Sequence, residues 1–355
     1  MRVVQWSTGN VGRHALAGIV AHPELELTGV WVSTEDKAGR DAGELAGLDP
    51  VGVAATTDTH ALLATHPDCV VYTAMADDRL TEALADLTMF LRAGINVVAS
   101  GPVFLQYPHD VVPEDLVAPI HAAAAEGSAS LWVNGIDPGF ANDWLPLVLT
   151  SVSQRIEQVR CLEILDYATY DNAKILFDIM GFGRAMDDTP TLLIPGVLSL
   201  AWGSVVRQLA EGLGVRLDRV EQSATRLPAP HRIELPAGVV EEGTAAALRF
   251  EVRGMVGDHA VCVLEHVTRL HPELGPDWPT MAGQGGYRVE ITGEPNYTLD
   301  LRIEATDGDH NTGGLKATAM RLVNAIPAVV AARPGLLTAL DLPLITGKGL
   351  VHIPR

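Results

Sequence analysis

The sequence predicts an α/β protein: an N-terminal Rossmann-like, doubly wound parallel sheet, followed by an α+β domain with an open, largely antiparallel sheet. Three observations predict it. The first third alternates short β-branched runs with helical stretches, a glycine turn joins the first run to the first helix, and after about Pro146 the pattern switches to polar–apolar alternation.

Val3-Val4 marks the first strand, and helical spacing runs from His14 to Ala21. Leu27 to Val32, Cys69 to Tyr72 and Asn96 to Ala99 repeat the short apolar run, as strands covered on both faces do. Val159 to Tyr167, Ala246 to Met255, Ala260 to Leu270, Tyr287 to Thr292 and Tyr297 to Ala305 alternate instead, which fits half-buried antiparallel strands. Between the first of these and the rest, Asn172 to Leu217 is helical and punctuated by glycine and proline; within it, uncharged Thr189 to Val206 reads as a buried or subunit-facing helix pair. Gly313 to Ala332 returns to helical spacing and breaks at Pro334-Gly335. The expected division is a nucleotide-binding domain over 1–145, a substrate and dimerisation domain over 146–310, and a C-terminal helix and tail over 311–355.

Composition narrows the function. Of 355 residues 47% are hydrophobic and 19% charged, the balance of a packed globular chain. A net charge of −19 repels nucleic-acid phosphates and anionic lipid, so neither partner is expected. Cys69, Cys161 and Cys262 lie far apart, indicating no disulfide framework and no zinc site. The start, Met1-Arg2-Val3-Val4-Gln5-Trp6, leaves no room for a secretory leader, and Thr189 to Val206 is too short and too interrupted to span a bilayer. A cytoplasmic location is expected.

Ser7-Thr8-Gly9-Asn10-Val11-Gly12 stands between the first strand and the first helix. Free backbone N–H groups and the helix dipole converge there, which suits a dinucleotide pyrophosphate. Ser7 replaces the first glycine of the dinucleotide fingerprint, while Gly9 and Gly12 keep the close-approach and packing positions; the competing reading is an ordinary strand-to-helix turn. The second strand ends Val32-Ser33-Thr34 without the acid that NAD enzymes place there. Ser33 and Thr34, followed by Lys37 and Arg40, suit the 2′-phosphate of NADP, with NAD as the lesser possibility. Alternatively Lys37 and Arg40 are solvated loop charges beside Glu35, Asp36 and Asp41. Thr73-Ala74-Met75 and Ser100-Gly101-Pro102 end two further strands on the side where cofactors sit, and are expected to border the ribose and nicotinamide.

With these residues in hand, the chain resembles, end to end, the amine dehydrogenase and 2,4-diaminopentanoate dehydrogenase group, relatives of dihydrodipicolinate reductase. The resemblance rests on Gln5 to Gly12, Asp41-Ala42-Gly43-Glu44, Gly135-Ile136-Asp137-Pro138-Gly139-Phe140, Met180-Gly181-Phe182-Gly183, and Val323-Asn324-Ala325-Ile326-Pro327 with Pro334-Gly335. It implies NAD(P)H-linked reduction of an imine formed from a small ketone or aldehyde and ammonia or an amine, or the reverse oxidation. It also implies a homodimer whose C-terminal helix returns to the nucleotide domain, with Asn324 a cofactor contact. The chain departs from dihydrodipicolinate reductases in lacking a His-His pair followed by Lys; the corresponding connection reads Tyr167-Ala168-Thr169-Tyr170-Asp171-Asn172-Ala173-Lys174. It departs from amine dehydrogenases in lacking the glutamate they carry before Tyr107-Pro108, where this chain has Pro102 to Gln106.

An imine reductase needs an acceptor near the substrate nitrogen. Asp137, after a strand end, is the first candidate, although Asp before Pro is also a common turn former. Tyr170 and Asp171 follow, placed where the family's substrate segment falls, and Gln106 is a neutral substitute in the loop. Phe140, Trp144, Tyr167, Tyr170 and Phe177 cluster around the expected domain junction and form either an apolar substrate slot for a small neutral carbonyl or amine, or ordinary core. The histidines show no paired metal spacing, and no catalytic metal is expected. Two rivals remain: an ammonia-independent carbonyl or cyclic-imine reductase, and a non-catalytic nucleotide-binding sensor.

Overall fold

The computed structural model describes residues 1–76 and 79–353, so the last two residues of the segment 311–355 lie outside the described residues. The chain forms two compact units: Met1–Ile136 together with the segment from Leu315 onward, and Asp137–Gly314.

The first unit opens with β1 (Arg2–Trp6), α1 (Asn10–Ala21), β2 (Glu26–Trp31), α2 (Ala42–Ala46), β3 (Ala55–Thr56), α3 (Thr59–Leu63), β4 (Cys69–Tyr72), α4 (Leu80–Arg92), β5 (Asn96–Ala99), α5 (Glu114–Gly127) and β6 (Ser130–Val133). Neighbouring strands pair in parallel, and β4 and β6 are buried along their whole length, which is why they read as unbroken apolar runs.

The second unit contains α6 (Trp144–Thr150), β7 (Arg155–Asp166), α7 (Val197–Gly212), β8 (Arg219–Pro228), a small hairpin of β9 (Ile233–Leu235) and β10 (Gly238–Val240), then β11 (Ala245–Val256), β12 (His259–Arg269), β13 (Gly285–Glu294) and β14 (Tyr297–Leu301). The described residues build a six-stranded sheet in the order β14, β13, β7, β12, β11, β8, antiparallel except for the central β7–β12 pair. One face carries the core: Val159 and Cys161 of β7, Cys262 and Leu264 of β12, Val289 and Ile291 of β13, and Leu248 and Val252 of β11 pack with Val205, Val206 and Leu209 of α7.

The chain closes with α8 (His310–Ala331), whose second turn holds the boundary between units, and β15 (Gly335–Leu337), which pairs in parallel with β6. The first unit's described strands therefore run β15, β6, β5, β4, β1, β2, β3, the order of a doubly wound dinucleotide fold with one added edge strand. From α8, Ala319, Leu322, Val323, Ile326 and Val329 fill a core with Val3, Ala15, Ile19, Val71 and Val98. Gly18 lets α1 lie close: a β-carbon there would stand 2.6 Å from Met320 Sδ.

Three expectations need correction. The unit boundary falls at Ile136/Asp137, before the expected 145/146, and Leu145, Leu147 and Leu149 of α6 pack against the second unit's core. The stretch Thr189 to Val206 is no helix pair; Thr191–Leu193 makes a single tight turn, and left-handed Gly196 at φ 92° precedes one helix, α7. The strand from Tyr297, β14, stops at Leu301 instead of Ala305. Among the described residues no helix is long and apolar enough to cross a membrane.

Candidate active site

In the first unit the ends of β1, β4 and β5 lie side by side at the edge of a parallel sheet where ligands bind. Ser7 adopts left-handed φ of 80°, turning the chain sharply from β1 towards α1. Buried Gln5 braces this turn, its amide nitrogen donating to Ser7 O and to Thr73 Oγ1, each at 2.8 Å, while Thr73 Oγ1 donates to Trp6 O at 3.0 Å. Gly12 fills a cradle no other residue fits, since a β-carbon would meet the Ser7 carbonyl and stand 2.7 Å from Thr73 Oγ1. In front of Gly9 the space is open, with nothing nearer than Ser7 Oγ at 3.9 Å from the position of an added β-carbon. No side chain caps α1 and no acid stands in its first turn, so Gly9, Asn10 and Val11 open a helix N-terminus suited to an anion. The residues present thus fit a dinucleotide pyrophosphate.

Beyond β2, Ser33, Thr34 and Arg40 are exposed. Lys37 reaches back to the glycine turn, its Nζ 3.4 Å from Thr8 Oγ1. The Thr34 hydroxyl bonds Asp36 and holds that carboxyl below its usual range. Ala74 and Met75 follow Thr73, and Ser100, Gly101 and Pro102 follow β5, whose chain leads into the tight turn Val103–Gln106 with Gln106 fully buried. On α8, Asn324 Oδ1 is buried without a hydrogen-bond partner among the described residues. The motif Asp41 to Glu44 is structural: Asp41 caps α2 through Gly43 N at 2.7 Å and also accepts from Val51 N and Gly52 N.

The second unit holds a constellation that alternation alone did not disclose. At the C-terminal ends of β7 and β12 the core face of the sheet turns polar. Phe250, His266, Glu163 and Tyr287 stand opposite one another on β11, β12, β7 and β13, a row across four strands with all four side chains buried. Glu163 Oε2 lies 2.7 Å from His266 Nδ1, the Tyr287 hydroxyl also bonds Glu163, and His266 Nε2 bonds the Thr268 hydroxyl. The His266 ring stacks on Phe250 with centroids 4.9 Å apart.

Asp137 belongs to this constellation. Its carboxyl accepts from Trp202 Nε1 at 3.0 Å and bonds the Asn142 side chain, so it faces α7 and the cluster instead of capping its own turn. Burial, with Glu163 nearby, holds Asp137 well above the usual carboxyl range against the opposing pull of His266, Trp202 and Asn142. Burial also raises Glu163 to about 8, and it lowers His266 to about 4. Burial thus favours the uncharged form of each member of the Glu163–His266 pair. Among the described residues, the groups that perturb these two carboxyls include no lysine or arginine.

The aromatic residues surround it in part. Tyr167 stacks on Tyr170 at 4.7 Å and meets the His266 ring edge-on, and Trp202 packs edge-on against Phe250. Phe140 stacks on Trp144 at 5.8 Å, whereas Phe177 lies against Gly183 and Gly238. Asp171 is exposed. Among the described residues no group of three or more histidines, cysteines, aspartates or glutamates could hold a metal. Glu163, His266, Trp202, Asn142, Thr268 and Tyr287 went unforeseen; the available signal was a glutamate and a histidine in phase with Cys161 and Leu264 on otherwise apolar strand faces.

Residues 140–349 match the family of the 2,4-diaminopentanoate dehydrogenase C-terminal domain. An amine dehydrogenase of Streptomyces virginiae is 44% identical over 347 residues, which cover 96% of each chain. The chain belongs to the amine dehydrogenase family. It is accordingly an oxidoreductase acting on amine or imine groups. A 2,4-diaminopentanoate dehydrogenase of Acetoanaerobium sticklandii is 25% identical over 76% of this chain and 73% of that protein. The amine dehydrogenase structure from Mycobacterium smegmatis shares this family member's fold with a TM-score of 0.77 at 23% identity, covering 98% of this chain and 97% of that one.

Proposed function

We propose that this protein catalyses reversible, nicotinamide-linked hydride transfer to an imine formed from a small ketone or aldehyde and ammonia or an amine. The observation that carries this reading is the buried pair of carboxyls, Asp137 and Glu163, set among neutral donors and aromatic rings. Two such buried acids favour a cationic nitrogen, which supplies the opposite charge that their neighbouring donors and rings do not.

Ser7 to Gly12 would hold the pyrophosphate at the α1 N-terminus, with Thr73 to Met75, Ser100 to Pro102 and Asn324 along the ribose and nicotinamide. When bound, the cofactor supplies or accepts the hydride. The substrate slot in this proposal is lined by Phe140, Trp144, Tyr167, Tyr170 and Phe177. Asp137 orients the substrate nitrogen, with Tyr170 beside it and Gln106 as a neutral polar contact. The cofactor is NADP before NAD, a preference supported by exposed Ser33, Thr34 and Arg40 and by Lys37 at the glycine turn. The assembly is a homodimer through the second unit, supported by that unit's open sheet, and its location is the cytoplasm, which three free, buried cysteines suit.

Oxidation of NADPH with a small ketone, with and without ammonium, tests the reading; no turnover with ammonium present refutes it. Turnover without ammonium favours the ammonia-independent carbonyl or cyclic-imine reductase, which the uncharged run Pro102 to Gln106 supports. Cofactor binding with no turnover of any carbonyl or amine identifies a nucleotide sensor.

A further inference from the structure

We propose that Glu163 is the carboxyl that exchanges a proton with the substrate nitrogen, and that His266 is its positioning residue. The inference rests on the reading above and assigns to the sheet a task for which the loop before Tyr107 has no acid.

Geometry separates the two carboxyls. Asp137 is held by Trp202 and Asn142, donors that do not titrate in water's ordinary range, so its orientation is fixed whatever its charge. Glu163 is held by a titratable ring, and beyond that ring stands the Thr268 hydroxyl. In the neutral pair the acid donates to His266 Nδ1, and the ring's other nitrogen keeps its proton towards Thr268. When Glu163 becomes a carboxylate, the imidazole proton moves to Nδ1 and donates to it. The ring thus supports either state with a hydrogen bond. The Glu163 side chain is buried but keeps 9% of its surface exposed.

The groups facing Glu163 are His266 from β12, Tyr287 from β13, Asp137 from the turn before α6, and Tyr167 and Tyr170 from the segment after β7. Burial raises all three tyrosines above their usual range, leaving the two acids and the histidine as the exchangeable set. With Glu163 near 8, its proton is gained and lost close to neutrality, where general acid–base catalysis is most effective.

In the oxidative direction, an alkylammonium gives one N–H proton to the Glu163 carboxylate and becomes a neutral amine. The C–H bond then breaks, its electron pair leaving as hydride to an oxidised nicotinamide cofactor, while the nitrogen lone pair closes the C=N bond of an iminium. Water adds to that carbon, one of its protons passes to the nitrogen, and collapse of the adduct releases ketone and ammonium. Reduction runs the same steps backwards, with Glu163 as the acid.

The test joins a binding readout to a kinetic one. Calorimetric titration of the full chain with isopropylammonium chloride at pH 7, in phosphate and in Tris, reports protons released on binding. The parent is expected to release about one proton as the cation displaces it from Glu163, and Glu163→Gln none. In isopropylamine oxidation, kcat/KM of the parent should rise with pH through about 8, while Glu163→Gln loses that limb and at least about 100-fold in kcat. His266→Gln keeps the carboxyl and should move both the limb and the proton count. A Glu163→Gln protein that releases the proton and keeps the limb overturns the inference, as does an unmoved limb in His266→Gln for the role of the ring. A parent that releases the proton but oxidises no amine overturns the proposed function and leaves the proton site standing.

Discussion

His266 Nδ1 and Glu163 Oε2 meet at 2.7 Å across the parallel pair β7 and β12, joining residues 103 positions apart. Burial of the acid sets how stability depends on pH. Glu163 binds its proton more tightly folded, near 8, than its ordinary 4.5, so its stabilising contribution is complete below that ordinary value and is lost as pH rises through about 8. Glu163→Gln, which mimics the protonated acid, should therefore raise Tm over the parent at pH 9 and match it at pH 4. Thermal scans across that range check it; a variant less stable than the parent at pH 9 counts against the assignment.

Asp137→Asn should reduce kcat for amine oxidation by about 100-fold or more while cofactor affinity stays unchanged, because the amide keeps the bond from Trp202 but replaces one of the two carboxyl oxygens that orient the substrate nitrogen. Steady-state kinetics beside a nucleotide titration separates the two effects.

Trp202→Phe removes the one indole donor that meets Asp137 Oδ1 and keeps most of the ring packing on Phe250. Losing a hydrogen bond that orients the carboxyl facing the substrate nitrogen should raise KM for the amine about tenfold, with a smaller change in kcat. Equal KM values in the two proteins would show that the indole is only packing.

Gly12→Ala drives a methyl against the Ser7 carbonyl and Thr73. The expected outcome is a loss of about 1–3 kcal/mol of stability together with weakened dinucleotide binding, read by denaturant titration and by quenching of tryptophan fluorescence.

Ser33→Asp should reverse the NADPH preference, since an acid beside the adenosine ribose repels a 2′-phosphate and offers a free ribose diol two acceptors. Dissociation constants for both cofactors decide it, and equal affinities in the parent defeat the preference itself.

Much of the architecture was legible because it is written locally. Unbroken apolar runs marked the parallel strands, alternation marked the second sheet, and Gly9 and Gly12 marked the turn whose crowding at Thr73 explains the second of them. Strand β8 was missed because its exposed edge position leaves Glu221, Ser223 and Thr225 without an apolar partner face. The Glu163–His266 pair was illegible for another reason: it depends on the register between two strands more than a hundred residues apart, which no local pattern specifies. Asp137 was found by position, but its partner Trp202 lies on a helix that the sequence reading had broken in two.

The first unit is discontinuous: its core takes Leu322, Val323 and Ile326 from α8, and its sheet edge takes β15. On the ribosome, residues 137–314 are all synthesised while the first unit still waits for its final helix. A nascent chain stalled near residue 314 would therefore carry a first unit with a bare hydrophobic flank, a ready client for chaperones.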